Sequence, residues 1–368
     1  MGTILQLRNV SRKFGAFTAV DNLSLDVGEG EFLTLLGSSG SGKTTTLRLI
    51  AGLEMPSSGQ VWFRGNDITA TPVTDRDMRM VFQDYALFPN LSVFENVAFG
   101  LRLRRQKGRY DKSMIRNLVE RHLETVRLSG QGSKMPHQLS GGQKQRVALA
   151  RALITDPPVV LFDEPLGSLD ANLRKIMQIE IKRIHRELGK TFIYVTHDQE
   201  EAMALSDRVA VLKDAKLLQV GTPQEIYFEP KSAAVARFIG AANVISGTVE
   251  TVHGDEAVVR MENGQNIVAG LGVNGVSPGA RVGVMMRGES FMLPKHDVGD
   301  EPISWLRGSV VESLFLGRKM EYAIQLAGAD TAISVLDRDF RARNIQVGQD
   351  VRIGIRPRHV RLLAEHLV

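Results

Sequence analysis

The chain has 368 residues, 43% hydrophobic and 24% charged, which is typical of a soluble globular protein with more than one domain. Its net charge of +5 favours scattered surface lysine and arginine over a nucleic-acid-binding patch. The absence of cysteine excludes disulfides, cysteine zinc sites and thiol catalysis. The N-terminus lacks a signal-peptide core and no apolar run is long enough to cross a bilayer, so we expect a cytoplasmic protein.

The first part of the chain alternates strand-like and helix-like segments. Residues 4–32 have short alternating runs and many turn residues, which predicts a small antiparallel β subdomain. Beyond them, buried strands separated by helices predict a mainly parallel sheet covered by helices, an α/β fold. The predicted strands are EFLTLLG (31–37), MRMVFQD (78–84), PVVLFDE (158–164), TFIYVTH (191–197) and RVAVLKD (208–214).

Apolar periodicity predicts helices between these strands. One such pattern is KTTTLRLIAGL, at 43–53. Residues 170–189 form a longer helical pattern that Gly189 ends. The residues expected to share its apolar face are Leu173, Ile176, Met177, Ile181, Ile184 and Leu188.

The composition changes near residue 238, which divides the chain into domains of residues 1–238 and 239–368. Short Val/Ile-rich runs separated by Gly, Asn and Asp predict that the second domain is all-β. It contains an internal similarity in which Arg287 matches Arg356. Two related β units are one interpretation, and coincidence in a Val- and Gly-rich region is the other. The matching segments are PGARVGVMMRGESFML (278–293) and VGQDVRIGIRPRHVRL (347–362).

GSSGSGKTT, at 37–45, follows an apolar strand and opens a helix, which is the context of a phosphate-binding P-loop. Its glycines let backbone N–H groups converge on phosphate oxygens, and the helix N-terminus adds its positive end. We expect Lys43 to reach the β- and γ-phosphates and Thr44 to bind Mg²⁺. The alternative is a chance Gly-Ser loop. The predicted ATP-binding residues here are Gly37, Ser38, Ser39, Gly40, Ser41, Gly42, Lys43, Thr44 and Thr45.

Polar side chains follow three of the other predicted strands. Asp163 and Glu164 end VVLFDE, and we expect Asp163 to hold Mg²⁺ and Glu164 to polarise the attacking water. A simple turn is the alternative. His197 ends TFIYVT on the same side of the sheet, so it is a candidate γ-phosphate contact rather than a structural or solvated histidine. Gln83, after MRMVF, carries an amide that can ligate Mg²⁺.

A second Ser-Gly-Gly run, LSGGQ at 139–143, precedes a helix predicted to begin near Gln143. Ser140, Gly141 and Gly142 would present a hydroxyl and backbone N–H groups at a positive helix end. No Lys-Thr pair follows, so this segment can hold phosphate but cannot place a metal by itself.

In this order, the segments resemble the nucleotide-binding subunit of an ATP-binding-cassette (ABC) transporter from residue 4 to about 235. The D-loop departs slightly, since Gly167 and Ser168 stand where relatives often have Ser and Ala. The matches are Phe14 as the adenine-stacking aromatic, GSSGSGKT as Walker A, Gln83 as the Q-loop, LSGGQ as the signature, VVLFDE as Walker B, LGSLD (166–170) as the D-loop, and VTHDQEEA as the switch-histidine segment.

The resemblance implies a P-loop ATPase cassette with a helical subdomain near residues 85–155, followed by an OB-like TOBE domain. Catalysis would fall to Glu164, His197 and Lys43, with Mg²⁺ on Thr44, Gln83 and Asp163. Two copies would clamp face to face around ATP and Mg²⁺, so a homodimer is expected. The residues implied to contact the ATP on the partner are Ser140, Gly141, Gly142, Gln143 and Asp170.

Because no membrane domain is fused to the cassette, the resemblance points to an importer subunit at the cytoplasmic face of the inner membrane. Its partners would be two permease subunits, a periplasmic binding protein indirectly, and no nucleic acid. The permease would contact the segment from Gln83 to Phe94, unless its apolar residues belong to the core. The candidate contacts are Tyr85, Leu87, Phe88 and Leu91.

Sequence segments such as GEFLTLLG and FIGAANVISG are most similar to those of the spermidine/putrescine, ferric-iron and 2-aminoethylphosphonate branch of these importers. Polyamine is the preferred substrate, and sugar and sulfate importers share the architecture. A soluble ABC ATPase of repair or translation is disfavoured by the single cassette without long insertions. A regulatory protein with an inactive site is disfavoured by intact Lys43, Glu164 and His197. The C-terminal domain could regulate the dimer, bind a small molecule or anion, or brace it.

Overall fold

The computed structural model describes residues 2–103, 110–167, 169–271, 275–293, 303–342 and 345–364. The chain divides into two compact units, Met1–Pro223 and Gln224–Val368. The first unit ends earlier in the chain than residue 238, where composition places the boundary. The boundary at residue 238 stays a prediction.

The first unit is built on a mainly parallel sheet with the strand order β10-β9-β3-β8-β7-β6. β3 pairs in parallel with β8 and β9, β7 pairs in parallel with β6 and β8, and β10 is antiparallel to β9. Strands β3, β7 and β8 are buried along their whole length, as expected for apolar strands covered on both faces. The predicted α/β sheet is therefore confirmed. Its strands are β3 (Phe32–Gly37), β6 (Met78–Val81), β7 (Val159–Asp163), β8 (Thr191–Thr196), β9 (Arg208–Lys213) and β10 (Lys216–Gly221).

The predicted antiparallel subdomain is also present, with the strand order β2-β1-β4-β5. β1 pairs along its length with both β2 and β4. A tight turn at Gly15, with φ of 59°, connects the first two strands and leaves Phe14 at its edge. The strands are β1 (Thr3–Phe14), β2 (Phe17–Gly28), β4 (Ser58–Phe63) and β5 (Asn66–Asp67).

Helices connect these strands, and α2, α3 and α4 share a hydrophobic core that includes Val97, Val119 and Val147. These three helices form the predicted helical subdomain. The helices of the first unit are α1 (Lys43–Ala51), α2 (Val93–Arg102), α3 (Lys112–Thr125), α4 (Gly141–Leu153), α5 (Ala171–Leu188) and α6 (Gln199–Leu205).

Helix α5 buries a narrower face than its sequence predicts. Met177, Ile181 and Ile184 are fully buried, in agreement with the periodicity. The prediction is wrong for Ile176, which is 53% exposed, and for Leu188, which is 37% exposed. The buried residues Met177, Ile181 and Ile184 are spaced four and three positions apart, which places them on one face of the helix. Ile176 precedes this series by one position, so its side chain lies beside that face rather than on it.

The second unit contains an antiparallel sheet with the strand order β13-β12-β11-β14-β19 and another with the strand order β17-β16-β15-β18. The two similar sequence segments occupy equivalent places. Each contains a strand, β14 or β18, then Arg287 or Arg356, then a 3₁₀ turn. The prediction that the region after residue 238 folds into β-strands is therefore confirmed for its described residues. The strands are β11 (Asn243–His253), β12 (Glu256–Met261), β13 (Asn266–Gly270), β14 (Arg281–Met286), β15 (Ser304–Phe315), β16 (Met320–Leu326), β17 (Ala332–Asp337), β18 (Asp350–Ile355) and β19 (Val360–Ala364).

Two short helices, α7 (Pro223–Phe228) and α8 (Ala233–Phe238), precede β11. The buried guanidinium of Arg287, which directly follows β14, donates hydrogen bonds to the carbonyls of Tyr227 and Ile239. It also lies 3.7 Å from the centroid of the Tyr227 ring. These contacts attach the helical segment to β14, which explains why residues 224–238 group with the second unit.

We predict that Ile181→Ala lowers the free energy of unfolding of the first unit by about 2–4 kcal/mol, because it leaves a cavity in the core. The matched control, Ile176→Ala on the same helix, is expected to change it by less than about 0.5 kcal/mol. Trp62 lies in the first unit and Trp305 in the second. Trp62 fluorescence during urea unfolding, in a Trp305→Phe background, therefore reports on the first unit alone. Equal losses in both variants would contradict the packing of α5.

Candidate functional site

The P-loop occupies the turn between β3 and α1. Gly40 and Gly42 have φ angles of 79° and 99°, which residues with a side chain rarely adopt. A Cβ at Gly42 would lie 2.4 Å from the carbonyl oxygen of Ala19, and one at Gly37 would lie 2.3 Å from that of Leu212. Glycine is therefore required at positions 37 and 42 for steric reasons. Ser38 and Ser39 are exposed at the tip of the loop, whereas Ser41 is buried.

Lys43 begins α1 and its side chain turns back into the loop. Its Nζ donates a hydrogen bond to the carbonyl oxygen of Ser38 at 2.8 Å. Burial lowers the pKa of Lys43, while the nearby carboxylates of Glu164 and Asp163 raise it. The ammonium is thus held inside the loop, on the same side as the two acidic residues that end β7.

Thr44 and Asp163 are in direct contact, because Thr44 Oγ1 donates to Asp163 Oδ1 at 3.0 Å. Burial raises the pKa of Asp163, and the Thr44 hydrogen bond acts in the opposite direction. A hydroxyl and a carboxylate are oxygen ligands of the kind that Mg²⁺ prefers. A bound cation would offset the cost of a charged carboxylate here, so these residues fit the metal. Gln83 lies exposed just beyond β6, and its role as a metal ligand stays a prediction.

Glu164 and His197 also meet at this edge of the sheet. His197 Nδ1 lies 2.9 Å from Glu164 Oε2. Glu164 has a φ of 43°, a strained angle for a glutamate, and its N–H donates to Val195 O at 3.1 Å. This backbone turn directs the carboxylate out of the line of β7. The sequence indicates each residue separately, but it does not predict their contact.

Phe14 lies at the end of β1 and is 44% exposed. The guanidinium of Arg12 lies 4.4 Å from its ring centroid and forms a 2.8 Å ion pair with Glu54. Stacking of Phe14 on adenine stays a prediction. Sequence reasoning missed Arg12, although its place two residues earlier on the same strand puts both side chains on one face.

Ser140 caps α4, which begins at Gly141 rather than near Gln143 as the sequence suggests. Ser140 Oγ accepts from Gln143 N at 3.4 Å, and Gln143 Oε1 accepts from Ser140 N at 3.0 Å. This reciprocal capping draws both glycines into the first turn. A Cβ at Gly142 would lie 2.9 Å from a methyl of Leu173, so the start of α4 abuts the start of α5.

Asp170 caps the neighbouring helix α5, and its Oδ1 accepts from Leu173 N at 2.9 Å. The LSGGQ segment and Asp170 are therefore brought together at two adjacent helix N-termini. Ser168, which departs from the usual D-loop, lies outside the described residues. The contacts of Asp170 and the LSGGQ residues with a nucleotide stay predictions.

The segment after Gln83 is fixed by polar groups that sequence reasoning missed. The buried amide of Asn96 donates to Phe88 O and Leu91 O, and accepts from Phe88 N. Arg151, on α4, donates to the carbonyls of Tyr85 at 2.9 Å and Ala86 at 2.6 Å. The loop is thus tied to the same helix that LSGGQ begins.

Tyr85 is not the surface residue that the sequence suggests. It is only 8% exposed and belongs to the core of the helical subdomain, because a φ of 63° turns its side chain inward. Phe88, by contrast, is 38% exposed and packs on Phe99 with ring centroids 4.4 Å apart. Leu87 and Leu91 are partly buried. Of the apolar candidates, Phe88 offers the largest accessible side chain.

No helix in the described ranges is long and apolar enough to cross a membrane.

Comparison with known proteins identifies similar domains and chains. A family model described as ABC transporter matches residues 20–167, and one described as TOBE domain matches residues 284–363. The spermidine/putrescine import ATP-binding protein of Rubrobacter xylanophilus is 44% identical over 361 residues, covering 98% of this chain and 93% of that protein. The Fe(3+) ions import ATP-binding protein of Rhizobium etli is 42% identical over 362 residues, covering 97% and 96%.

Solved structures match a smaller share of the chain. The dimeric post-hydrolysis state of an ATP-binding cassette bound to ADP and Pi aligns with a TM-score of 0.53 and 32% identity, covering 60% of this chain and 99% of that one. The protein cbiO1 of Clostridium perfringens, part of the ABC transporter complex cbiONQ, aligns with a TM-score of 0.57 and 29% identity, covering 61% and 91%.

We predict that Gly42→Ala weakens ATP binding by about tenfold or more, because the added methyl forces the loop away from Ala19. Gly65→Ala is the matched control, since Gly65 also has a positive φ, 77°, but has open space around its Cβ position. Titration with a fluorescent ATP analogue and Mg²⁺ measures both. Unchanged affinity in Gly42→Ala, or equal losses in the two variants, would contradict the steric explanation.

Proposed function

The chain belongs to the family of ABC-transporter ATP-binding subunits that serve import, and we propose that it hydrolyses ATP to energise polyamine uptake. The observation that best supports ATP hydrolysis is the arrangement of side chains at the edge of the sheet where β7 and β8 end. Lys43, the Thr44–Asp163 pair and the Glu164–His197 pair converge there. A phosphate loop beside a paired carboxylate and imidazole suits attack of water on a terminal phosphate.

Each group at this edge has a proposed task. Lys43 and the backbone N–H groups of the loop bind the phosphates and offset their charge. Glu164 orients the attacking water and accepts its proton, and the strained turn together with His197 aims its carboxylate. His197 then holds Glu164 and contacts the γ-phosphate. Mg²⁺, when bound through Thr44, Asp163 and Gln83, supplies positive charge at the phosphates.

We further propose that the LSGGQ segment completes the site of a second copy of the chain. Ser140 is exposed at the N-terminus of α4, and its 3.4 Å capping bond is long enough to be exchanged for a phosphate oxygen. Gly141, Gly142 and Gln143 continue the same turn, and Asp170 caps the adjacent helix. A site that can bind phosphate without a lysine is useful only when another P-loop faces it.

The surface near Phe88 is the proposed contact with a membrane permease. Its ring is partly exposed on a loop that Asn96 and Arg151 hold in place. Because Arg151 lies on the helix that Ser140 caps, movement of that helix would be passed to the loop. This arrangement would link the nucleotide to the permease and place the chain at the membrane surface.

Polyamine is proposed as the substrate because the related import proteins include a spermidine/putrescine importer subunit. Segments of this sequence are also similar to the importer branch that includes the spermidine/putrescine proteins. Ferric iron is the second candidate, since an iron-import relative has almost the same identity over almost the same length.

We predict that Glu164→Gln lowers the rate of ATP hydrolysis by at least about a hundredfold while ATP affinity stays within about twofold, because the amide cannot accept the proton of water. Steady-state phosphate release and nucleotide titration measure the two quantities. The matched control is Glu200→Gln, an exposed glutamate on α6, which is expected to keep normal turnover. Normal turnover in Glu164→Gln would refute the assignment.

The same pair of variants tests the substrate in the native host. Uptake of labelled spermidine and putrescine is expected to disappear with Glu164→Gln and persist with Glu200→Gln, while uptake of labelled ferric iron is unchanged. Loss of iron uptake with intact polyamine uptake would instead select the second candidate.

A further inference from the structure

Arg174 joins the turn that carries His197 to the turn that carries Asp170. It lies in the first turn of α5, with a side chain that is 32% exposed. Its guanidinium donates to Leu169 O at 3.2 Å and to Asp198 Oδ2 at 3.3 Å. The same group lies 3.7 Å from Glu201 Oε1. One side chain therefore hydrogen-bonds two separate segments and forms an ion pair with a second carboxylate on one of them.

On one side, the bridge fixes the backbone directly before Asp170. Leu169 O accepts from Arg174, and Asp170 O accepts from the Arg174 N–H at 2.8 Å. The Asp170 carboxylate is meanwhile held by Leu173 N. The position of Asp170 is thus set by the first turn of α5 and by the guanidinium.

On the other side, the bridge fixes the turn directly after His197. Asp198 Oδ1 caps α6 by accepting from Glu201 N at 3.1 Å, which leaves Oδ2 for Arg174. Asp198 N also donates to Thr196 Oγ1 at 3.0 Å. His197 therefore lies between two residues whose positions are fixed, and Arg174 sets one of them.

Glu201 adds a buried anchor to this side. Its Oε2 accepts from Tyr194 OH at 2.9 Å and from Thr196 Oγ1 at 2.8 Å. Burial raises the pKa of Glu201, whereas these hydrogen bonds and the cation of Arg174 lower it. A guanidinium presents several donors in a rigid fork, so it can hydrogen-bond Leu169 and Asp198 at once while its charge lies close to Glu201, which a lysine cannot do.

We propose that Arg174 is a positioning residue that couples His197, at the nucleotide site of its own subunit, to Asp170, which faces the nucleotide site of a second copy. The inference rests on the proposed function, in which two such sites form between two chains. Loss of the bridge would let each turn move alone. The two sites would then lose cooperative turnover, although each P-loop would still bind ATP.

The test compares Arg174→Met, Arg174→Lys and the wild-type full chain. In Arg174→Met we expect ATP affinity within about twofold of wild type, kcat lower by about tenfold or more, and a Hill coefficient for ATP that falls from above 1 to about 1. Arg174→Lys should be intermediate, because its ammonium reaches fewer of the acceptors. Arg186→Met, an exposed arginine in the last turn of α5, is the matched control and should behave as wild type.

A purely structural role would lower stability or kcat without changing cooperativity, so a wild-type Hill coefficient in Arg174→Met would overturn the proposal. A Hill coefficient of 1 in the wild type would overturn it as well. If Arg174→Met does not fold, Asp198→Asn replaces it, since the amide oxygen keeps the cap of α6 while the charge pair is lost. Unchanged cooperativity in that variant would also overturn the proposal. A wild-type chain without ATPase activity would instead refute the proposed function itself.

Discussion

The parallel pairing of β3, β8 and β7 is the constraint on which the candidate site depends. In this register Leu36 lies beside Thr196, and Asp163 lies beside Val195. The carboxyl ends of the three strands therefore reach the same edge of the sheet, which is where open α/β sheets bind their ligands. Moving one strand by a residue would separate the P-loop from the acidic pair or from His197.

Much of this arrangement can be predicted from the sequence. Strands buried on both faces read as continuous apolar runs, and the P-loop carries its own glycine requirement, so the sheet and the loop at Gly42 follow from residue type. The Glu164–His197 contact does not, because it depends on strand register and on a strained φ at Glu164. The inward turn of Tyr85 depends on a backbone angle that residue type does not specify.

A second group of residues escapes sequence reasoning for a different reason. Asn96, Arg151 and Arg174 are polar residues within helices, where periodicity assigns polar positions to solvent. Their partners are backbone carbonyls of loops, both near and far along the chain, and for Arg174 also the Asp198 carboxylate, so only the folded chain identifies them. Each of them ties a loop of the candidate site to a helix through hydrogen bonds, so the separate sequence motifs are connected in the folded chain.

Whether LSGGQ of one chain completes the P-loop site of another can be tested directly by cross-linking. The chain has no cysteine, so single cysteines can be introduced at the exposed positions of Ser39 and Ser140 in differently tagged copies, both carrying Glu164→Gln. If LSGGQ faces the P-loop of the second copy, oxidation with ATP and Mg²⁺ joins the two tags in one disulfide-linked dimer, and omitting ATP prevents this cross-link. Copies that bind ATP but stay unlinked, or a chain with both cysteines that closes an internal disulfide, would contradict the pairing of LSGGQ with the P-loop of a second copy.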